Sequence, residues 1–163
     1  LEVGLGHARE LHARFPAHLE YHNAFGSVLT ALGELLCTCG GLADGEAALR
    51  DACDVFDALA RRPGINAEQR MHASQSRASL GRALLVAGRA DEAFEVLEGA
   101  LGMCEAAWRA DGELLSARLY LGMVRMDLAQ LDVQGGGTAG VAEELEDLLP
   151  LVRHDPHALA DLA

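Results

Sequence analysis

Apolar residues recur along this chain at steps of three and four, in runs cut by short glycine-bearing breakers. That spacing lays a single apolar stripe along a helix and is incompatible with the two-residue alternation of a half-buried strand. Phe25, Leu29, Leu32 and Leu36 stand at steps of four, three and four, and Ala93, Leu97, Ala100 and Cys104 repeat the pattern. Composition agrees: 50% of the 163 residues are hydrophobic but only 4% are aromatic. Ala and Leu, strong helix formers, fill the place that β-branched and aromatic residues take in sheets. The expected fold class is all-α, and the length suits one domain with its own core. No apolar run approaches the ~18 residues of a membrane span.

Breakers and capping signals divide the chain into helices at about 2–15, 17–39, 44–62, 66–87, 91–108, 112–131 and 138–153. Pro16 stops the first, Gly40-Gly41 the second, Gly88-Arg89 the fourth and Gly135-Gly136-Gly137 the sixth. Asp44 is expected as an N-cap, Asp91 opens the helix after Gly88-Arg89, and Asn66-Ala67-Glu68-Gln69 has the form of a capping box. Asp155-Pro156 announces one more helix that Ala163 cuts short. With Leu1 at the other end, the chain reads as an excised part of a longer protein.

Thirteen basic residues stand against 25 acidic ones, a net charge of -12, and every basic residue is Arg. An acidic surface without Lys repels phosphate backbones, so neither nucleic acid nor an anionic membrane is expected as a partner. Arg, Ala and Gly in this balance point to a GC-rich coding source. Cys37, Cys39, Cys53 and Cys104 are irregularly spaced and read as reduced core residues, and no secretory signal is present. A cytoplasmic location is the expectation.

The helices pair, and the pairs resemble each other. Leu121-Gly122 lies 41 positions after Leu80-Gly81 (121 minus 80), and Phe25-Gly26 is an earlier, weaker copy 55 positions before it (80 minus 25). Leu80-Gly81-x-x-Leu84, then Gly88-Arg89-x-Asp91-Glu92-Ala93, Leu97 and Ala100-Leu101 resemble a tetratricopeptide repeat. Gly81 and Ala93 leave room for a neighbouring backbone, and Leu80 and Leu97 fill the space between helices. Arg77 stands where the family often has Trp, and Leu84 where it often has Tyr. The spacing of 41 exceeds the common period of about 34. It is similar to the longer repeats of kinesin light chains and of bacterial multidomain signalling ATPases and regulators. The resemblance implies one α-solenoid domain over residues 1–163, a superhelix of antiparallel pairs at about 17–62, 66–108 and 112–153.

No nucleophile elbow, P-loop or dinucleotide fingerprint occurs. Gly135 to Gly140 is read as an inter-helix loop, the acidic run Glu143 to Asp147 as a solvated face, and Trp108 as a packing residue just after a helix. No cofactor or metal is expected. His18 and His22, four apart on one helix and expected to be partly exposed, could with another histidine build a metal site. His7, His12 and His72 stand alone. A small all-α metal-dependent enzyme is thus one alternative, and a structural, self-associating solenoid segment another. The favoured expectation is a non-enzymatic scaffold that binds protein or peptide, the sensing or interaction module of a larger bacterial regulator.

In arrays of this family the first helix of each pair lines a concave groove. Projected onto it, the first pair presents Glu20, Asn23, Ser27 and Thr30, the second Gln75, Ser79 and Arg82, and the third Ser116, Tyr120, Met123 and Asp127. These residues combine hydrogen bonding with adaptable apolar contact, which suits an extended peptide. Arg82, the only cation in the set, is expected to meet an acidic group or a peptide carbonyl of the partner.

Overall fold

The computed structural model describes residues 2–112 and 115–134, and among these all regular structure is helical. The helices are α1 (Glu2–Arg14), α2 (Leu19–Thr38), α3 (Leu42–Ala60), α4 (Ala67–Val86), α5 (Ala90–Ala110) and α6 (Leu115–Gln134). The expected helix at 138–153, the glycine-rich loop before it, the acidic run and the Asp155-Pro156 start lie outside the described residues.

Close contacts fix the direction of each pair. Gly26 lies under Phe56, Gly33 under Leu49 and Gly45 against Cys37, so the two residue numbers always add to 82. A constant sum means that α2 and α3 run antiparallel. Gly81 under Leu97 and Ser74 bonded to Cys104 both add to 178, which makes α4 and α5 a second antiparallel hairpin. Between hairpins it is the difference that stays nearly constant. Thr30 meets Ser76, 46 positions on (76 minus 30), and Glu34 meets Ser79, 45 on (79 minus 34), so α2 and α4 run parallel. Arg82 meets Asp127, again 45 on (127 minus 82), and α6 extends the same row.

The two complete hairpins repeat each other, but not in the register expected from sequence. Gly33 packs on Leu49 as Gly81 packs on Leu97, and both members of the pair are 48 positions apart (81 minus 33, 97 minus 49). Leu32-Gly33, rather than Phe25-Gly26, is therefore the counterpart of Leu80-Gly81. The helix ends agree. Gly40 (φ 88°) and Gly88 (φ 75°) hold the left-handed conformation that glycine adopts without steric cost. Around each, the following N–H reaches back five residues, Gly41 to the Leu36 carbonyl at 2.8 Å and Arg89 to the Leu84 carbonyl at 2.9 Å. Both first helices thus end in a Schellman motif, which satisfies carbonyls left open at the terminus.

Capping follows the sequence at α4 and departs from it at α3, while α5 starts one residue before Asp91. Asn66 accepts from the Gln69 N–H at 2.8 Å while Gln69 accepts from the Asn66 N–H at 3.1 Å, a complete capping box. The N-caps of α3 and α5 are Gly41 and Arg89, and Asp44 and Asp91 lie inside the first turns. There they still favour the positive end of the helix dipole, which needs no side-chain cap. The tight loop closed by each Schellman motif starts the next helix one or two residues before those aspartates.

Among the described residues the main apolar cluster runs from α3 through α4 and α5 to α6, and three smaller clusters flank it. Leu49, Ala78, Leu84, Ala93, Leu97 and Val124 are essentially inaccessible. Small residues face large ones across each seam, which lets the helices pack to interior density. Across the outer loops, Glu46 accepts from Arg89 at 2.7 Å, and Arg50 bridges Glu46 and Glu92. The Arg89 and Arg50 guanidiniums hold Glu46 below the usual carboxylate range. Trp108 lies inside α5 rather than beyond it, with the Arg118 guanidinium 5.8 Å from its ring.

Candidate interaction face

The parallel row of α2, α4 and α6 brings several of the expected groove residues within reach of one another. Ser79 Oγ donates to Glu34 at 2.5 Å, Arg82 donates to Ser79 Oγ at 3.0 Å, and Arg82 donates to Asp127 at 2.8 Å. These four side chains form one polar line across the three helices. Further along α2, His72 and Asn23 are bonded at 3.0 Å, with the imidazole Nδ1–H donating to the amide oxygen. Burial lowers the His72 pKa, against an opposing pull from Glu68. Asp127 is pushed up by burial, and Arg82 only partly offsets that cost. Burial and the nearby Glu34 charge raise the Tyr120 phenol.

Three expectations are corrected by this geometry. Arg82 is not free for a partner's acidic group, because Asp127 and Ser79 already hold its guanidinium. Thr30 is buried and donates to the Gly26 carbonyl at 3.0 Å and to Ser76 at 3.1 Å, so its hydroxyl joins helices instead of facing a groove. Ser79 is also buried, and its hydroxyl donates to Glu34. Helical projection cannot tell a polar residue that stays open from one that staples neighbouring helices.

The remaining positions keep some surface. Glu20 is exposed, and Asn23, Ser27, Gln75, Ser116 and Met123 are half-buried. Tyr120 is half-buried against the cluster of Met71, Ala107 and Ala117. Two clefts open beside Glu34. One, of about 160 Å³, is bordered by Ser27, Glu34, His72 and Gln75. The other, of about 340 Å³, is bordered by Glu34, Ser79, Arg82 and Val86. Glu34 and His72 were missed from sequence. The signal for Glu34 was present, since it continues the stripe of Glu20, Asn23, Ser27 and Thr30 by one more step of four. In the register of 48 it is also the counterpart of Arg82 (82 minus 34), at the same level of the first hairpin.

His18 and His22 do not make a metal pair. His22 is buried rather than partly exposed, its Nδ1–H donates to the His18 carbonyl at 3.2 Å, and its Nε2 accepts from Arg62 at 3.0 Å. Among the described residues no group of three or more His, Cys, Asp or Glu side chains is placed to hold a metal ion. His12 and His72 are not isolated either, since the His12 ring lies 4.1 Å from that of His22, and His72 is bonded to Asn23. The four thiols are free. Cys53 and Cys104 are buried beside Ser76 and Ser74, and burial pushes both thiols up. Cys39 is exposed, against the expectation of four core cysteines, because α2 ends at Thr38 and the chain turns there.

Among the described residues, no helix is long and apolar enough to cross a membrane. No protein-family model matches the chain, and no curated protein sequence does so either.

Proposed function

We propose that this chain is a non-enzymatic helical-repeat module, a solenoid of the tetratricopeptide-like kind, that binds a protein or peptide along α2, α4 and α6. The parallel row of first helices, with polar side chains and two clefts meeting at Glu34, carries this assignment. Beside the residues that staple the helices, the half-buried Ser27 and Gln75 border the first cleft and leave polar groups for a partner. Because Asp127 neutralises Arg82, the charge left for a partner on this face is acidic, at Glu34 and the exposed Glu20. A bound segment therefore presents a basic side chain, in keeping with the chain's net charge of -12. Composition supports a cytoplasmic role within a larger bacterial regulator.

The test begins with a pull-down on the intact chain to identify the partner, followed by titration calorimetry on variants. Glu34→Gln and Gln75→Ala are expected to weaken binding by about tenfold each, in line with loss of a charge-assisted or a well-buried hydrogen bond. Glu95→Ala, on the exposed side of α5, is expected to leave it unchanged. Loss at Glu95 with full affinity at Glu34 and Gln75 moves the surface to the second helices.

A further inference from the structure

We propose that a slot between α3, α4 and α5 is a binding site for a small branched aliphatic group carrying a carboxylate. The slot is walled by Phe56, Leu59, Ile65 and Met103 and has a volume of about 100 Å³. An apolar cavity of roughly 150 Å³ admits a benzene ring, so this one has room for a four- or five-carbon branched chain. Gln75, Glu34 and Arg82 do not border it, and the inference therefore stands apart from the interaction face.

Two features of the slot suit a ligand. The first is Gly102, which borders it from the interior of α5. Glycine is a poor residue for a helix interior; at Gly26, Gly33 and Gly81 a close neighbour accounts for it, whereas Gly6 in α1 and Gly102 stand in open space. A Cβ on Gly26, Gly33 or Gly81 would lie 2.5–2.7 Å from Phe56, Leu49 or Leu97. A Cβ on Gly102 would meet nothing within 4 Å. No helix contact requires this glycine, and its missing side chain leaves the slot open. The second is Arg70, also on the border. Arg14, Arg50, Arg77, Arg82, Arg89 and Arg109 pair with carboxylates, whereas Arg9, Arg61, Arg62, Arg70 and Arg118 have no carboxylate partner among the described residues, and of these five only Arg70 borders the slot. A guanidinium beside an apolar slot recognises a carboxylate through two parallel hydrogen bonds while the slot takes the hydrocarbon.

The same chemistry is offered by a free aliphatic acid and by a peptide ending in Leu. Both are used as probes on the intact chain labelled with ¹³C at the methionine methyls: 4-methylpentanoate, and the tripeptide Gly-Gly-Leu with a free terminus. Their carboxamides serve as controls. The expected result is a saturable shift of the Met103 methyl at about millimolar concentration, as befits so small a ligand. Each carboxamide and the Arg70→Gln variant bind about tenfold more weakly. Gly102→Leu abolishes the shift without lowering the melting temperature, and Gly102→Ala, which cannot strain the helix, weakens it. Tighter binding of the free acid identifies a small metabolite as the source, and tighter binding of the tripeptide identifies a peptide C-terminus. The proposal is overturned if neither probe saturates up to about 20 mM, or if binding is undiminished in both Gly102 variants. Equal binding of acids and carboxamides, with no effect of Arg70→Gln, also overturns it.

Discussion

Gly33 and Gly45 are the two residues at which α2 and α3 touch backbone to backbone. A Cβ on Gly33 would lie 2.9 Å from the Gly45 carbonyl oxygen, and one on Gly45 would lie 2.8 Å from that of Gly33. A carbonyl locked in a helix cannot swing aside, so Gly45→Ala is expected to cost about 1–3 kcal/mol, although Ala favours helix by ~1 kcal/mol. The identical change at Gly102, in open space, is expected to stabilise by up to about 1 kcal/mol. Urea unfolding of the pair checks this, and equal signs would show that the helix seam is wrongly placed. Gly81→Leu drives a side chain into Leu97 and is expected to cost on the order of 1–3 kcal/mol or more. Leu97→Ala, at a fully buried position, costs roughly 2–5 kcal/mol. The role of Gly81 was legible because Leu80, Gly88 and Ala93 surround it in a recognisable order. That of Gly33 was not, because α2 carries two large-small pairs, Phe25-Gly26 and Leu32-Gly33, and both glycines lie under side chains of α3.

The docking of α1 shows what one element owes to uncharged histidines. Leu5 and Ala8 pack against the cluster that Phe25 and Leu29 of α2 form with Ala52, while the His12 ring lies 4.1 Å from His22 and 4.8 Å from Phe25. Arg62 closes the cluster by donating to His22 and to the Pro16 carbonyl. Burial first, then the charge of Arg62, lowers the pKa of His12. Burial also leads at His22, with His12 and Arg62 adding to it and the His18 carbonyl opposing. The unfolded chain therefore binds more protons than the folded one once the pH drops below the ordinary histidine value of about 6.5. This stability is complete above that pH and is lost as the pH falls through and below it. Carboxylates such as Glu46, held low by Arg89, add a similar loss only at more acid pH. The melting temperature is expected to fall from pH 7.5 to about pH 5, and His12→Leu is expected to flatten that part of the profile. A profile unchanged by His12→Leu would remove the cluster from the account. The signal was partly in the sequence, since His22 stands three before Phe25 on the apolar stripe. What no stripe reveals is Arg62, which reaches the pair from the connection after α3.

At the scale of the whole molecule, helix order and pairing were legible because the three- and four-residue periodicity is continuous and the breakers are glycines. The polar face of α2, α4 and α6 was legible only as a side of each helix. Its polar residues divide into staples, such as Thr30 and Ser79, and open positions, such as Gln75, and only tertiary packing distinguishes the two. Arg82→Ala illustrates the consequence, since it strands the half-buried Asp127 and is expected to cost about 1–3 kcal/mol of stability as well as any binding. Among the described residues each helix packs on its chain neighbours, α4 packs also on α2 and α6, and an ion pair between Arg50 and Glu92 joins α3 to α5. Stability in such an arrangement is a sum of neighbouring interfaces, so it should vary along the chain. α4 shares interfaces with α2, α3, α5 and α6, whereas α1 rests on α2 alone. Native-state hydrogen exchange is therefore expected to show the slowest amides in α4, intermediate rates in α2, α3 and α5, and the fastest opening in α1. Binding of a segment along α2, α4 and α6 joins helices that otherwise meet only in pairs. It is expected to slow exchange in all three together while leaving α1 unchanged. Uniform protection in the free chain would mean that the helices unfold as one cooperative unit, and protection confined to α3 and α5 on binding would place the partner on the second helices.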